Sequence, residues 1–155
     1  PFEGEVAVDR VVDLAVRLAQ SNPVELAIAD TIGVAVPSQV TELIDRIRTA
    51  IPDMPLRCHF HNTRNTAVAN AYSAVLAGVR TLDSSVGGIG GCPFAPNATG
   101  NVATEDLVYM LTRGGFDTGI DLNNLIGVGH WLQEQRGRPL PSMVSRAGGF
   151  PRNLS

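Results

Sequence analysis

Two histidines separated by one residue are the first candidates for chemistry in this chain. His59 and His61 close an apolar run that begins at Leu56. If that run is a β-strand, its period of two residues puts both imidazoles on one face, where they can converge on a single ion. A third ligand is needed, and Asn101, which follows a glycine-rich loop, can bring an amide oxygen.

Mixed imidazole and amide-oxygen ligation favours a divalent cation such as Mg2+ or Mn2+, with open positions for water or substrate. A structural zinc site built from Cys58, His59, His61 and Cys92 is the rival interpretation. It is disfavoured because adjacent residues 58 and 59 of an extended strand face opposite ways. The alternative without a metal treats the histidines as two polar positions on a half-exposed strand, each making one hydrogen bond.

Cys92 lies in the glycine-rich loop, whereas Cys58 lies in the predicted strand on the face opposite the histidines, so we expect two free thiols rather than a disulfide. The loop can expose backbone amides to a substrate, which makes Gly90 and Gly91 candidate substrate-binding residues. Near a cation the Cys92 thiol could serve as a general acid. The alternative is a small buried side chain with no chemical role.

Asp30 and Thr31 follow another short apolar run and would point into the same mouth as the histidines. Their alternative role is a turn at the end of a strand, a place that both residue types favour. The glycines of the loop are not followed by the lysine of a phosphate-binding loop, and no G-x-G-x-x-G opens a helix. A nucleotide-binding function is therefore disfavoured.

Composition narrows the class of protein. Only 17% of the 155 residues are charged and the net charge is -3, so no basic field attracts nucleic acid or an anionic membrane surface. The apolar stretches are shorter than the roughly 18 residues of a membrane span, and no leader pattern opens the chain. We expect one domain over residues 1–155 in a cytoplasmic protein.

Hydrophobic periodicity predicts helices that alternate with strands and so position these residues. Candidate functional residues follow the carboxyl ends of strands, the edge where parallel sheets build their sites. Three strands make a small sheet, and a barrel of eight such units needs about 250 residues. We therefore predict an α/β fold, the C-terminal half of a TIM (β/α)8 barrel with about three parallel strands and flanking helices. Strands are predicted at 24–29, 56–61 and 79–86, and helices at 5–20, 38–50, 65–76, 104–111 and from 121 onward.

Four motifs taken together resemble the 3-hydroxy-3-methylglutaryl-CoA lyases, barrel metallolyases related to isopropylmalate synthase and the pyruvate carboxyltransferase domain. They are Asp30-Thr31-Ile32-Gly33, His59-Phe60-His61-Asn62-Thr63, the glycine and cysteine loop from Gly87 to Pro96, and the run from Gly100 to Asp106. The likeness extends from Phe2 to about Trp131, and the cysteine loop is its most specific part.

The resemblance implies a divalent metal held by His59, His61 and Asn101, with Cys92 near the substrate. It implies cleavage of a 3-hydroxyacyl-CoA, such as 3-hydroxy-3-methylglutaryl-CoA, to acetyl-CoA and a keto acid such as acetoacetate. Asn62 is placed with the substrate-binding residues, although family members often have Asp there. Arg64 stands where many members have an aromatic residue.

The family draws a further metal ligand, an Asp, and a catalytic Arg from its first strand, which has no counterpart in this chain. The chain begins at Pro1 without a strand before its first helix. We therefore expect the fragment alone to be inactive and to form a homo-oligomer or to associate with a missing N-terminal half. The alternatives are a Claisen-type synthase of the same superfamily and a non-catalytic half-barrel that binds a partner.

Overall fold

The computed structural model describes residues 4–92 and 95–151, and as far as the third strand its helices and strands alternate as the periodicity predicts. A 3-10 turn at Val86–Gly88 follows the third strand. In chain order the regular elements are α1 (Val8–Ala19), β1 (Leu26–Asp30), α2 (Pro37–Ala50), β2 (Leu56–Phe60), α3 (Ala67–Leu76), β3 (Thr81–Asp83), β4 (Gly91–Cys92), β5 (Ala95–Thr99), α4 (Thr104–Arg113), α5 (Leu122–Arg136) and α6 (Met143–Ala147). Across the described ranges, no helix is both long and apolar enough to cross a membrane.

The three predicted strands form one parallel sheet in the order β1-β2-β3. Leu26 lies opposite Leu56, and His59 lies opposite Asp83. Parallel neighbours need a crossover connection, which α2 and α3 supply. The predicted parallel sheet with flanking helices is confirmed.

The two faces of β2 have different environments, as its alternating sequence predicts. Leu56, Cys58 and Phe60 are buried, and they belong to a core that includes Ile44 of α2 and Ala71 of α3. Arg57 and His59 are half-buried on the opposite face, which we call the inner face of the sheet. The predicted opposite orientation of Cys58 and His59 is therefore confirmed.

The C-terminal third departs from the predicted pattern. The third strand is shorter than predicted, because the backbone of Ser85 pairs with Val102 and Thr104 instead of continuing the ladder with β2. The glycine-rich segment contains the antiparallel pair β4–β5, which was expected to be a loop. Beyond Gly137, where the sequence shows no periodicity, α6 forms a further short helix.

Candidate active site

The two histidines lie together at the carboxyl end of β2. Their ring centroids are 5.1 Å apart with the rings inclined at 59°. His61 is 5% exposed, and its Nδ1 atom is buried without a hydrogen-bond partner. Burial lowers the pKa of His61, the positive charge of His59 lowers it further, and Asp30 opposes the shift. The imidazole of His61 is therefore biased toward the neutral form that donates a lone pair to a metal.

Asn101 reaches the histidines through backbone pairing. An antiparallel bridge joins His61 and Asn101, and the amide nitrogen of Asn62 donates to the carbonyl of Gly100 at 3.1 Å. The Asn101 side chain donates its Nδ2 to the carbonyl of Ile89 at 3.0 Å. This bond occupies the amide nitrogen and leaves the Oδ1 atom as the end suited to a cation.

The arrangement fits part of the coordination sphere of a divalent cation. Imidazoles that share one ion have centroids about 4.5 to 5.5 Å apart when each metal–nitrogen bond is about 2.1 Å, and His59 and His61 fall in that range. The buried, unpartnered Nδ1 of His61 is a polar group that a metal would satisfy. Nowhere in residues 4–92 and 95–151 do three His, Cys, Asp or Glu side chains converge on one point. The donors near this site are thus two imidazoles and one amide oxygen, and the other ligands must come from substrate, water or another segment.

Cys92 and its neighbouring glycines belong to the segment that precedes Asn101 in the chain. Cys92 belongs to β4, and its side chain lies outside the described part of the structure, so its role as an acid stays a prediction. Gly90 has a φ of +98°, and a Cβ atom there would lie 2.7 Å from Asn101 Nδ2. Glycine at this position therefore gives Asn101 the space for its observed orientation. Gly91 is exposed at the start of β4.

Three residues predicted to bind substrate lie around the histidines, and two of them have structural hydrogen bonds. Asp30 accepts bonds from the amides of residues 34 and 35 through both carboxylate oxygens, at 3.0 Å each. Asn62 accepts a bond from Ala67 at the start of α3 at 3.1 Å. Thr31 is half-buried in the turn after β1. Contact of these three residues with substrate remains a prediction.

Glu105 is a buried residue beside the site that the sequence patterns did not single out as functional. Both of its carboxyl oxygens accept the amide of Gly87 at 2.9 Å, and Oε1 also accepts the hydroxyl of Ser145 at 3.0 Å. Glu105 thereby fixes the start of the glycine-rich segment. From the sequence, a Glu in the first turn of a helix indicates only a favourable interaction with the helix dipole. Its hydrogen-bond partners Gly87 and Ser145 are distant in sequence, so no local pattern predicts them.

A polar network on the inner face of the sheet was also not predicted. Arg57 donates to Glu25 and to Asp83, at 2.7 Å in each case. Asp83 in turn lies 3.5 Å from Nδ1 of His59. Alternation along β2 and β3 places Arg57 and Asp83 on the same face of the sheet as His59. That alternation is the sequence signal that could have identified them.

A cavity of about 550 Å³ adjoins the glycine-rich segment. Its lining includes Gly88, Gly90 and other residues of that segment, together with Arg136 at the end of α5 and Arg138 just beyond it. Arginine is a residue type that binds anions, so a cavity lined in part by two arginines is suited to an anionic ligand.

Comparisons with known proteins identify the family of the chain. The profile of the HMGL-like family matches residues 2–131. The chain is 49% identical over 148 residues to the (R)-citramalyl-CoA lyase of Chloroflexus aurantiacus, covering 96% of this chain and 47% of that protein. It is 44% identical over 148 residues to the hydroxymethylglutaryl-CoA lyase of Pseudomonas mevalonii, covering 96% and 48%.

A solved structure extends the match to three dimensions. The HMG-CoA lyase of Acinetobacter baumannii in complex with coenzyme A and 3-methylmalate superposes with a TM-score of 0.91 at 38% identity, covering 100% of this chain and 50% of that one. The chain spans about half the length of the curated relatives it matches. The predicted α/β half of a TIM barrel is confirmed by this likeness.

Proposed function

Because the chain belongs to the HMGL-like family, we propose that it is the part of a divalent-metal-dependent carbon–carbon lyase that carries His59, His61 and Asn101. The observation that carries this proposal is the convergence of these three residues at the end of β2, with the buried Nδ1 of His61 lacking a partner. The reaction is cleavage of a 3-hydroxyacyl-CoA to acetyl-CoA and a keto acid.

His59, His61 and Asn101 would hold Mg2+ or Mn2+, which when bound supplies Lewis-acid polarisation of substrate oxygens. The hydroxyl of the substrate loses its proton to a base, its oxygen becomes the ketone oxygen, and the electrons of the broken carbon–carbon bond pass to the enolate of acetyl-CoA. That enolate takes up a proton, for which we propose the Cys92 thiol as donor.

The names of the relatives guide the choice of substrate. Citramalyl-CoA and hydroxymethylglutaryl-CoA occur in the names of the two lyases. Both are 3-hydroxyacyl thioesters that carry one free carboxylate. The cavity lined by the glycine-rich segment, Arg136 and Arg138 supports the choice of a CoA thioester, because arginine is a common ligand of phosphate groups such as those of CoA. We propose these two thioesters as the candidate substrates.

We also propose that a second polypeptide segment completes the site. In the described residues β1 pairs only with β2, which leaves the other edge of β1 without a neighbouring strand. A largely apolar cavity of about 400 Å³ is lined by Ile28 of β1 and by Val6, Val11 and Leu43 among others. An open strand edge beside apolar side chains favours association with further strands. Either a second copy or an N-terminal half of the same fold would cover this edge.

The test combines metal binding with complementation. Mn2+ binding to the purified chain is followed by electron paramagnetic resonance, and His59→Ala and His61→Ala are each expected to weaken it. The chain is then co-expressed with the N-terminal half of the Pseudomonas mevalonii lyase, and acetyl-CoA release is measured from hydroxymethylglutaryl-CoA and citramalyl-CoA. We expect no activity from the chain alone and activity from the complex.

Two controls define the outcome. Cys92→Ser in the active complex is expected to slow turnover by a large factor while Mn2+ affinity stays nearly the same. Sedimentation of the chain alone shows whether it self-associates. Mn2+ affinity unchanged in both histidine variants, or a stable complex that cleaves neither thioester, would contradict the proposed function.

A further inference from the structure

A row of charged side chains crosses the three strands on the inner face of the sheet. Arg57 lies in the middle, donating through Nε to Oε1 of Glu25 and through Nη1 to Oδ1 of Asp83, each at 2.7 Å. The second oxygen of Asp83, Oδ2, lies 3.5 Å from Nδ1 of His59. The carboxylate of Asp83 therefore stands between a guanidinium and an imidazole.

The strand register produces this row. His59 lies directly opposite Asp83, so both side chains stand on the same face of neighbouring strands. Arg57 lies two residues before His59 on the same face of β2, one step further from the carboxyl end of the sheet. From there its long side chain reaches Glu25 on one side and Asp83 on the other.

We propose that Arg57 is a positioning residue for the metal ligand His59, acting through Asp83, whose carboxylate it orients toward His59 Nδ1. This inference rests on the proposed function, because it takes His59 as a metal ligand. A carboxylate behind one nitrogen of a ligating histidine selects the tautomer that leaves the other nitrogen for the metal. The side chains of Asp83 and His59 are each about one-third exposed, so packing alone does not fix them.

The arginine itself is held firmly enough for this role. Its planar guanidinium spans two carboxylates, a geometry that a lysine ammonium cannot reproduce. Its hydrogen bonds to Glu25 and Asp83 raise the pKa of Arg57, against the effect of desolvation. Arg57 is therefore a permanent cation that ties β1 to β3 across β2.

The charge of Arg57 and its proposed positioning role predict opposite effects on Mn2+ affinity when Arg57 is replaced, which makes the proposal testable. A cation near the site repels a metal ion, so loss of its charge alone would tighten Mn2+ binding. Loss of orientation of Asp83 and His59 would weaken it. We expect weakening, by about tenfold in the dissociation constant, the lower end of the range for residues that support metal ligands.

The experiment measures Mn2+ affinity of the 155-residue chain by electron paramagnetic resonance for wild type, Arg57→Met, Asp83→Asn and Glu25→Gln. Arg57→Met and Asp83→Asn are each expected to weaken binding about tenfold. Glu25→Gln is the matched control: it removes a charge from the same row but leaves the bond between Arg57 and Asp83, so we expect a change below about threefold. Tighter or unchanged binding in Arg57→Met would overturn the proposal.

A second measurement avoids the metal altogether. Nitrogen-15 NMR of the metal-free chain is expected to show His59 as one neutral tautomer, protonated on Nδ1, and Arg57→Lys should give a mixture of tautomers. A single unchanged tautomer in Arg57→Lys would overturn the proposal. The variant His59→Ala distinguishes failure of the proposed role of Arg57 from failure of the proposed function. Loss of Mn2+ binding in that variant with wild-type affinity in Arg57→Met refutes only the role of Arg57, whereas wild-type affinity in both His59→Ala and His61→Ala refutes the proposed function as well.

Discussion

Replacing Glu105 by Leu should destabilise the chain strongly, because the carboxyl group satisfies two buried donors. Glu105 is 0% exposed, and it accepts the amide of Gly87 and the hydroxyl of Ser145. Leu has a similar volume but no acceptor, so both donors lose their partner. Each buried unsatisfied group costs about 1–3 kcal/mol. The Ser145 hydroxyl can rotate toward another acceptor, which puts its share at the lower end, so we expect a total of about 3 kcal/mol.

Urea unfolding followed by circular dichroism measures this loss, and the melting temperature should fall by roughly 10 °C for a chain of this size. Ser145→Ala is the matched control and should cost about 1 kcal/mol. In the double variant the cost of Glu105→Leu should shrink by about the same amount, because one of its two partners is already absent. A loss below about 1 kcal/mol for Glu105→Leu would refute the view that these hydrogen bonds stabilise the fold.

Four other substitutions test three separate parts of the structure. Gly90→Ala should weaken Mn2+ binding measured by electron paramagnetic resonance, because the added Cβ would lie 2.7 Å from Asn101 Nδ2. Unchanged Mn2+ affinity would argue against Asn101 as a ligand. Burial, and to a lesser degree the charge of Asp83, raises the pKa of Cys58 to about 12. In the variant Cys92→Ser, the remaining Cys58 thiol of the native chain should therefore resist labelling by iodoacetamide at pH 8. Rapid labelling of Cys58 seen by mass spectrometry would contradict this. The thiol of an unfolded chain has a pKa of about 8.5, so the neutral Cys58 thiol contributes its full stabilisation below that pH. This stabilisation is lost as the pH rises toward 12, by up to about 1.4 kcal/mol per pH unit. In urea unfolding, Cys58→Ala should reduce this dependence of the free energy of unfolding on pH. Asp30→Asn should cost about 1–2 kcal/mol in the same assay, because two backbone amides lose a charged acceptor, and a loss below about 0.3 kcal/mol would count against that role.

Local pattern predicted the elements that carry the site. The alternation in β2 placed His59 on one face and Cys58 on the other, and both positions are confirmed. This succeeded because a strand has a strict period of two that depends on neighbouring residues only. Helix α5 begins as predicted, with Asp121 accepting the amide of Asn124 at 2.9 Å. A cap is likewise a contact between residues close in sequence.

Contacts between residues distant in sequence could not be predicted in this way. The pairing of Ser85 with Val102 and Thr104 shortened β3, and the short strands β4 and β5 formed where glycines suggested only a loop. Each depends on backbone partners that no local period reveals. Asp106 likewise caps the start of α6 from the neighbouring helix, accepting from Val144 at 2.8 Å.

By itself, the sequence determined that strands and helices alternate, that His59 and His61 share a face at the end of a strand, and that the motifs are those of a barrel lyase family. The first two features follow from periodicity and from residue types within short segments, and the third is a resemblance of four motifs to that family. Only the tertiary structure decided that Asn101 pairs with His61, that Glu105 accepts the amide of Gly87, and that Arg57 donates to Asp83 beside His59. These contacts join residues 18 to 40 positions apart, and a chain brings such residues together only when the sheet register and the packing of its helices are complete.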